Sequence, residues 1–369
     1  MFSLRIVLLI ILFGCSLDVS SQNLNESPRP VYIGVKTHLS GIIIPHRDTL
    51  RQIASSRPRG LQIEISRYNI SEKSWRSCNC YARTGFSFMY FDYGNRDQLG
   101  QSYNLAFFLE PYFNVNNRLN FSYRASMALS YLNKPYDENS NPENLFYSSA
   151  LSYMLNVSMH ANYNLKPNLI LNGGLFYNHI SNGGMKQPNL GMNFPTIALG
   201  LDYVLKPLSS DLTKYQKPDE FNRELKYYMR MIASLKTIEA FDSNMSEVQR
   251  PVFGIEAGVI KPVSKLNALL IGCEYISDGS WKLRNKRWGE DFDHRTFNIM
   301  AGHGFLLGRF MFSQQLGLYA YKDYPNTSSI FYQRYALFYQ LGNYLNIGFS
   351  MKTHLEVAEI MDVRIGTTF

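Results

Sequence analysis

His179-Ile180-Ser181 sets a base and a hydroxyl two residues apart. Side chains at i and i+2 of a β-strand share one face. On a strand through this point, that face carries Leu169, Leu171, Gly173, Leu175, Tyr177, His179 and Ser181. It is apolar as far as an aromatic residue and then ends in the His/Ser pair. In a transmembrane barrel such a face looks at lipid rather than into a lumen. A serine hydroxyl is a weak nucleophile until a base takes its proton. The pattern therefore points to nucleophilic chemistry on a lipid.

The other ingredients of that chemistry lie just beyond the pair. A base works better when a third group orients it. Backbone amides in a tight turn can receive a developing oxyanion, and Asn182-Gly183-Gly184 supplies such a turn directly after Ser181. On the returning strand, Asn193, Pro195, Ile197, Leu199, Leu201, Tyr203 and Leu205 share the lipid-facing side. Asn193 is the first polar residue on that face, so it can meet His179 across the hairpin. The bland alternative makes His179 and Ser181 interfacial polar residues at a barrel rim. The glycine turn and the cross-strand Asn193 weigh against it.

The start of the chain indicates the compartment. Arg5 precedes the apolar run Ile6 to Phe13, and small and polar residues follow. This is the pattern of a secretory signal peptide over residues 1–21, cleaved after Ser21. Cys15 stands beside bulky Phe13, which argues against a lipoprotein site. No other run reaches the ~18 apolar residues of a spanning helix.

What must position the pair is a set of alternating segments. Across Arg118 to Tyr131, Leu119, Phe121, Tyr123, Met127, Leu129 and Tyr131 share one face, with Asn120, Ser122, Arg124 and Ser126 on the other. Tyr147 to Asn162 alternates in the same way. With 26 Tyr and 24 Phe in 369 residues, apolar-out strands with aromatic ends predict an all-β, antiparallel transmembrane barrel of the outer membrane of a Gram-negative bacterium. A soluble sandwich is the competing architecture. The final strand places Val363, Ile365, Thr367 and Phe369 on one face. The terminal Phe resembles the signal read by the barrel assembly machinery.

Segments near 31–39, 60–69, 79–93, 101–115, 118–132, 145–165, 167–181 and 193–206 read as strands. After a break come 252–261, 265–277, 295–305, 308–322, 329–341, 344–354 and 357–369. Bacterial barrels have even counts, so about 12 to 16 strands are expected, with one segment false or split. The break, 207–250, carries Phe221, Leu225, Tyr228, Met229, Ile232 and Leu235 near helical spacing. It predicts a helical connector on the periplasmic side. The domains expected are a first barrel half at 22–206, this connector, and a second half at 251–369.

The halves look related. Arg118-Leu119-Asn120-Phe121-Ser122 resembles Arg309-Phe310-Met311-Phe312-Ser313, and Leu145-Phe146-Tyr147 resembles Ile330-Phe331-Tyr332. Asn168 to His179 lines up with Asn343 to His354, which puts Glu356 where Ser181 stands. One active site, in the first half, is the expectation.

Tyr177-Asn178-His179-Ile180-Ser181-Asn182-Gly183-Gly184-Met185-Lys186-Gln187-Pro188-Asn189-Leu190-Gly191-Met192-Asn193 resembles the active-site hairpin of the lipid A 3-O-deacylase (PagL-type) family, acyloxyacyl hydrolase-like outer-membrane proteins. The resemblance covers roughly residues 60–206. It implies a small barrel that removes an ester-linked acyl chain from lipid A without a metal or other cofactor. It further implies Ser181 as nucleophile, His179 as base, Asn182 and Gly183 as the oxyanion hole, and Asn189 in the matching P-N-x-G loop. Family members include a Glu as third residue, where this chain has Asn193.

The same H-x-S-N-G stretch with a later Asn also resembles outer-membrane phospholipase A, a calcium-dependent enzyme with a Ser-His-Asn triad. No carboxylate cluster beside Ser181 is legible for calcium. A non-enzymatic pore or scaffold is the third reading.

Other chemistry reads poorly. His294 and His303 have no metal-ligand company. Cys78, Cys80 and Cys273 remain after signal cleavage, and an odd count gives no disulfide framework. The net charge of +8 includes the run Lys282-Leu283-Arg284-Asn285-Lys286-Arg287. That run is either a solvated loop or a contact for lipid phosphates. No glycine-rich phosphate loop follows a strand and opens a helix, so neither nucleotide nor nucleic acid is an expected partner. Lipid A of the outer membrane is.

Overall fold

The structure is a computed structural model that describes residues 30–45, 47–72, 75, 80–205, 207, 222–238, 248–323, 330–354 and 357–369. The signal peptide expected at 1–21, with Cys15, lies outside the described residues, as do Cys78, Phe221 and Glu356.

Among the described residues, sixteen antiparallel strands form two closed barrels of eight. The first contains β1 (Val31–Gly41), β2 (Arg59–Asn69), β3 (Tyr81–Asp92), β4 (Gln101–Phe113), β5 (Leu119–Leu132), β6 (Leu151–Lys166), β7 (Leu169–Ser181) and β8 (Met192–Val204). β1 pairs β8, Tyr32 opposite Val204, which closes it. The second contains β9 (Lys226–Ile238), β10 (Val248–Pro262), β11 (Asn267–Asp278), β12 (Arg295–Leu307), β13 (Phe310–Lys322), β14 (Phe331–Leu341), β15 (Leu345–His354) and β16 (Val357–Thr368). β16 pairs β9, Val363 opposite Ala233. The two parts of the chain are thus separate barrels rather than halves of one.

β9 corrects the expected helical connector. Its burial alternates, with Tyr228, Arg230 and Ile232 inside and Met229, Met231 and Leu235 exposed. Both faces carry apolar residues, so helical spacing could be picked out of a strand. The second barrel therefore begins at Lys226, and no fifteenth segment was false: a sixteenth was missing. A helix does occur elsewhere. α1 (Gly279–Trp288) holds the basic run expected in a loop, between β11 and β12. Asp278 caps it by accepting from Ser280 N at 2.8 Å, and Gly289 ends it at φ 69°. No described helix is long and apolar enough to cross a membrane.

Alternation sends apolar side chains outward and polar ones into each lumen. Leu175 (60% exposed), Ile197 (52%) and Met231 (67%) represent the outer belt, which in a barrel meets acyl chains. Inside the first barrel, three cations meet three carboxylates. Lys36 Nζ lies 2.6 Å from Glu64, Arg83 2.9 Å from Asp202, and Arg124 2.6 Å from both Glu64 and Glu110. The second repeats the balance with Arg230, Arg334 and Arg364 against Glu256, Glu274 and Asp362. All twelve are buried. Buried charges of one sign alone would be prohibitive, and pairing each with hydrogen bonds removes that cost. An eight-stranded barrel is just wide enough for such side chains. These charged side chains line the two lumens.

The internal resemblances fall on equivalent strands. Arg118–Ser122 and Arg309–Ser313 open β5 and β13, the fifth of each barrel. Tyr147 and Tyr332, both fully buried, stand at the approach to β6 and within β14. The third alignment slips by one residue. Asn172 is buried in β7, but its partner in that alignment, Ile347, sits on the outer side of β15 between buried Asn346 and Gly348. A one-residue slip exchanges the faces of a strand. His354 therefore points into the second barrel, where Tyr319 Oη is 3.0 Å and Glu359 Oε2 2.9 Å from Nε2. His354 is no counterpart of His179. A His354→Ala protein is expected to deacylate at near wild-type rate while His179→Ala does not, and equal loss from both in the same lipid A assay would reverse this.

Candidate active site on the lipid-facing hairpin

β7 and β8 form a hairpin whose connecting residues run from Asn182 to Gly191. Along β7, Asn172, Phe176 and Asn178 are buried in the lumen while Leu171, Leu175 and Tyr177 are exposed. His179 continues the exposed series and is half-buried. The register sets His179 opposite Asn193, and Nδ1 lies 2.6 Å from Asn193 Oδ1. An amide oxygen can only accept, so Nδ1 carries the proton of the neutral ring. That leaves the Nε2 lone pair for accepting a proton, the state a general base needs.

Ser181 ends the same outward series but is buried, 7% exposed, under the connecting loop. Its Oγ accepts from Gly183 N at 3.0 Å and from Asn189 Nδ2 at 2.9 Å. A hydroxyl has two acceptor positions and one proton. With both acceptor positions occupied, the proton is the part left to give away.

The loop is built to aim these donors. Gly183, Gly184 and Gly191 have φ of 68°, 80° and 74°, the left-handed region that glycine enters without steric cost. Asn182 N donates to Asn189 Oδ1 at 3.1 Å, fixing the Asn189 amide so that its NH2 faces Ser181. Asn182 Oδ1 accepts from Gly184 N at 2.9 Å, and Asn182 Nδ2 donates to Lys186 O at 2.7 Å. The amide of Asn182, expected at the oxyanion, is thus engaged in holding Asn189. Gly183 N and Asn189 Nδ2 are the two donors at the hydroxyl.

Sequence reasoning missed the support behind the loop. Residues 145–148, expected at the start of a strand, precede β6 and dock on the loop instead. Leu190 N and Gly191 N donate to Leu145 O and Phe146 O, and Ser148 Oγ donates to Lys186 O. Phe146 and Tyr147 are fully buried, and Tyr147 Oη donates to Leu99 O. The buried aromatic pair was the available signal.

His294 and His303 lie far along the second barrel, with His303 Nε2 3.0 Å from Asn267 Oδ1. Among the described residues no three His, Cys, Asp or Glu side chains cluster as metal ligands. Cys80 is disulfide-bonded, contrary to the expectation from the odd cysteine count, which still leaves Cys273 free.

Closed antiparallel barrels with an apolar belt and polar lumens define a transmembrane β-barrel protein of the Gram-negative outer membrane. Residues 65–202 match the family model of lipid A 3-O-deacylase (PagL), and residues 225–369 match that of the acyloxyacyl hydrolase C-terminal domain. The first match lies within the first barrel, and the second runs along the second barrel. No curated protein matches it. Among solved structures, the outer-membrane enzyme PagL is 14% identical, covering 47% of this chain and 98% of its own, with a TM-score of 0.32. Neisserial surface protein A is 12% identical, covering 47% and 96%, with a TM-score of 0.33. The β domain of the Bordetella autotransporter BrkA is 10% identical, covering 93% and 99%, with a TM-score of 0.25.

Proposed function

We propose that this protein is an outer-membrane serine esterase that removes an ester-linked acyl chain from lipid A. The observation that carries the reading is the convergence of Gly183 N and Asn189 Nδ2 on Ser181 Oγ, two residues along β7 from a histidine anchored by Asn193. The match of residues 65–202 to the lipid A 3-O-deacylase model is what supports lipid A as the substrate class.

His179 Nε2 and Ser181 Oγ are not hydrogen-bonded to each other in this structure; in this reading the ring closes on Oγ when substrate binds, and Nε2 takes the Ser181 proton as Oγ attacks the ester carbonyl. The acyl–oxygen bond to the sugar breaks, and the sugar hydroxyl leaves with the proton from His179. Water then releases the fatty acid from Ser181 by the same route. Gly183 N and Asn189 Nδ2, which donate to Oγ before attack, would pass to the carbonyl oxygen as it becomes the oxyanion of each tetrahedral intermediate, where such donors contribute most. The pair sits where the outer belt ends, with His179 on the lipid-facing side and Ser181 under the connecting loop, so the loop must admit the scissile ester of a lipid held in the leaflet. Mass spectrometry of lipid A from cells with and without the protein tests the proposal. Loss of one acyl chain is the expected result, and an unchanged acyl pattern would overturn it.

Asn193 favours one competitor, the calcium-dependent phospholipase with its Ser-His-Asn triad. Turnover of lipid A is expected to survive EDTA, and Asn193→Asp to retain or raise it. A charged oxygen at the 2.6 Å contact stabilises the imidazolium formed during attack better than a neutral amide. The cost of a carboxylate facing lipid falls off towards the interface. The assay is hydrolysis of lipid A and of phospholipid, each with EDTA and with added calcium. Strict calcium dependence with phospholipid as the better substrate would give the phospholipase reading the site.

A further inference from the structure

We propose that the second barrel is the brace of the first barrel's oxyanion turn, acting through Met361 and Thr237 as positioning residues. The inference rests on the serine esterase reading above and gives the second barrel a part in the same reaction.

The loop's own hydrogen bonds hold Asn182, Gly184 and Asn189, but they leave Gly183 with no packing of its own. Gly183 and Gly184 are consecutive left-handed glycines with no side chains to pack, yet Gly183 N must stay aimed at Ser181 Oγ. The second barrel lies directly against them. In β16, Ile360 and Asp362 point inward, so Met361 points out, and a Cβ built on Gly183 would sit 2.9 Å from Met361 Cβ and 3.1 Å from Sδ. A Cβ on Gly184 would be 3.5 Å from Glu359 O. Next in the loop, Met185 O accepts from Thr237 Oγ1 of β9 and, at 3.5 Å, from Gln249 Nε2 of β10.

Thr237 shows that this contact is built. It occupies an outward position on β9, where Met231 and Leu235 are 67% and 52% exposed, yet it is 5% exposed itself. A hydroxyl facing hydrocarbon would be costly unless hydrogen-bonded. Here it meets a backbone carbonyl of the other barrel. Met361, unbranched and adaptable, fills the space that a side chain at Gly183 would need. Three strands of the second barrel, β9, β10 and β16, therefore contact residues 183–185. Their combined effect is to fix where Gly183 N points.

Donor placement acts on the transition state. An error of about 1 Å in a site can cost 10²-fold in rate. The test uses the full-length protein and purified lipid A. Met361→Ala with Thr237→Val is expected to lower kcat about tenfold or more, with KM little changed and heat-modifiable gel migration intact. Met361→Leu and Thr237→Ser, which keep the bulk and the donor, are expected to stay near the wild-type rate. Wild-type kcat in the Ala/Val protein, or a change in KM alone, would overturn the brace. So would equal losses in the conservative pair. Ser181→Ala run alongside separates the two ideas: if it is inactive while the Ala/Val protein is fully active, only the brace fails. An active Ser181→Ala protein removes the esterase reading on which the brace depends.

Discussion

Ser181→Ala is expected to fold, insert and release no measurable fatty acid from lipid A. Removing the hydroxyl removes the covalent route. Loss of a serine nucleophile in hydrolases of this logic costs roughly 10⁴-fold or more in kcat. The structural cost is small by comparison. Oγ accepts two hydrogen bonds, from Gly183 N and Asn189 Nδ2, each contributing about 1 kcal/mol net. The buried ion-pair networks that line both lumens lie elsewhere and are untouched. Ester release from purified lipid A reads the chemistry, and heat-modifiable migration reads the fold. A rim serine with no part in catalysis would leave the rate where it was, and that outcome would sink the nucleophile assignment.

The hairpin was more legible than the architecture that carries it. That His179 and Ser181 follow one another along β7 and that Asn193 faces His179 was readable because strand periodicity and hairpin pairing are local rules. Two residues along β7 share a face, and the shortest connection brings β8 back beside it. The donors were harder. Asn182 and Gly183 look equivalent in sequence, but the Asn182 amide is drawn to Asn189 Oδ1. Only the folded loop shows the Asn189 side chain donating to Ser181 Oγ beside Gly183 N. Strand count was nearly right, and its one failure has a physical cause. Tyr228 and Ile232 are apolar yet face the lumen of the second barrel, which blurs the alternation that reveals a strand. Whether sixteen strands make one barrel or two depends on which edges pair. The pairings of β1 with β8 and of β9 with β16 join residues far apart in sequence, where local pattern is silent. The contact of Met361 with Gly183 is beyond sequence reading for the same reason.

Gly191→Ala is expected to lower kcat about 10²-fold while KM changes little. Gly191 follows the loop at φ 74°, and its N–H is tied to Phe146 O. A Cβ built there would lie 2.8 Å from His179 Cε1 and 3.5 Å from Nε2. The backbone is held from behind, so the imidazole ring must give way. It cannot do so without loosening the 2.6 Å contact with Asn193 that fixes its tautomer and direction. Part of the damage is plain backbone cost, since an alanine in the left-handed region loses about 1–2 kcal/mol. Gly342→Ala isolates that part. Gly342 has φ 65° in the β14–β15 turn, and a Cβ there meets nothing within 4 Å. The two variants should lose similar stability, but only Gly191→Ala should lose rate. Deacylation kinetics beside thermal unfolding of both proteins gives the comparison. Equal rates in the two would mean that the ring of His179 does not need to stand where the loop puts it, and the assignment of His179 as the base would fall with that result.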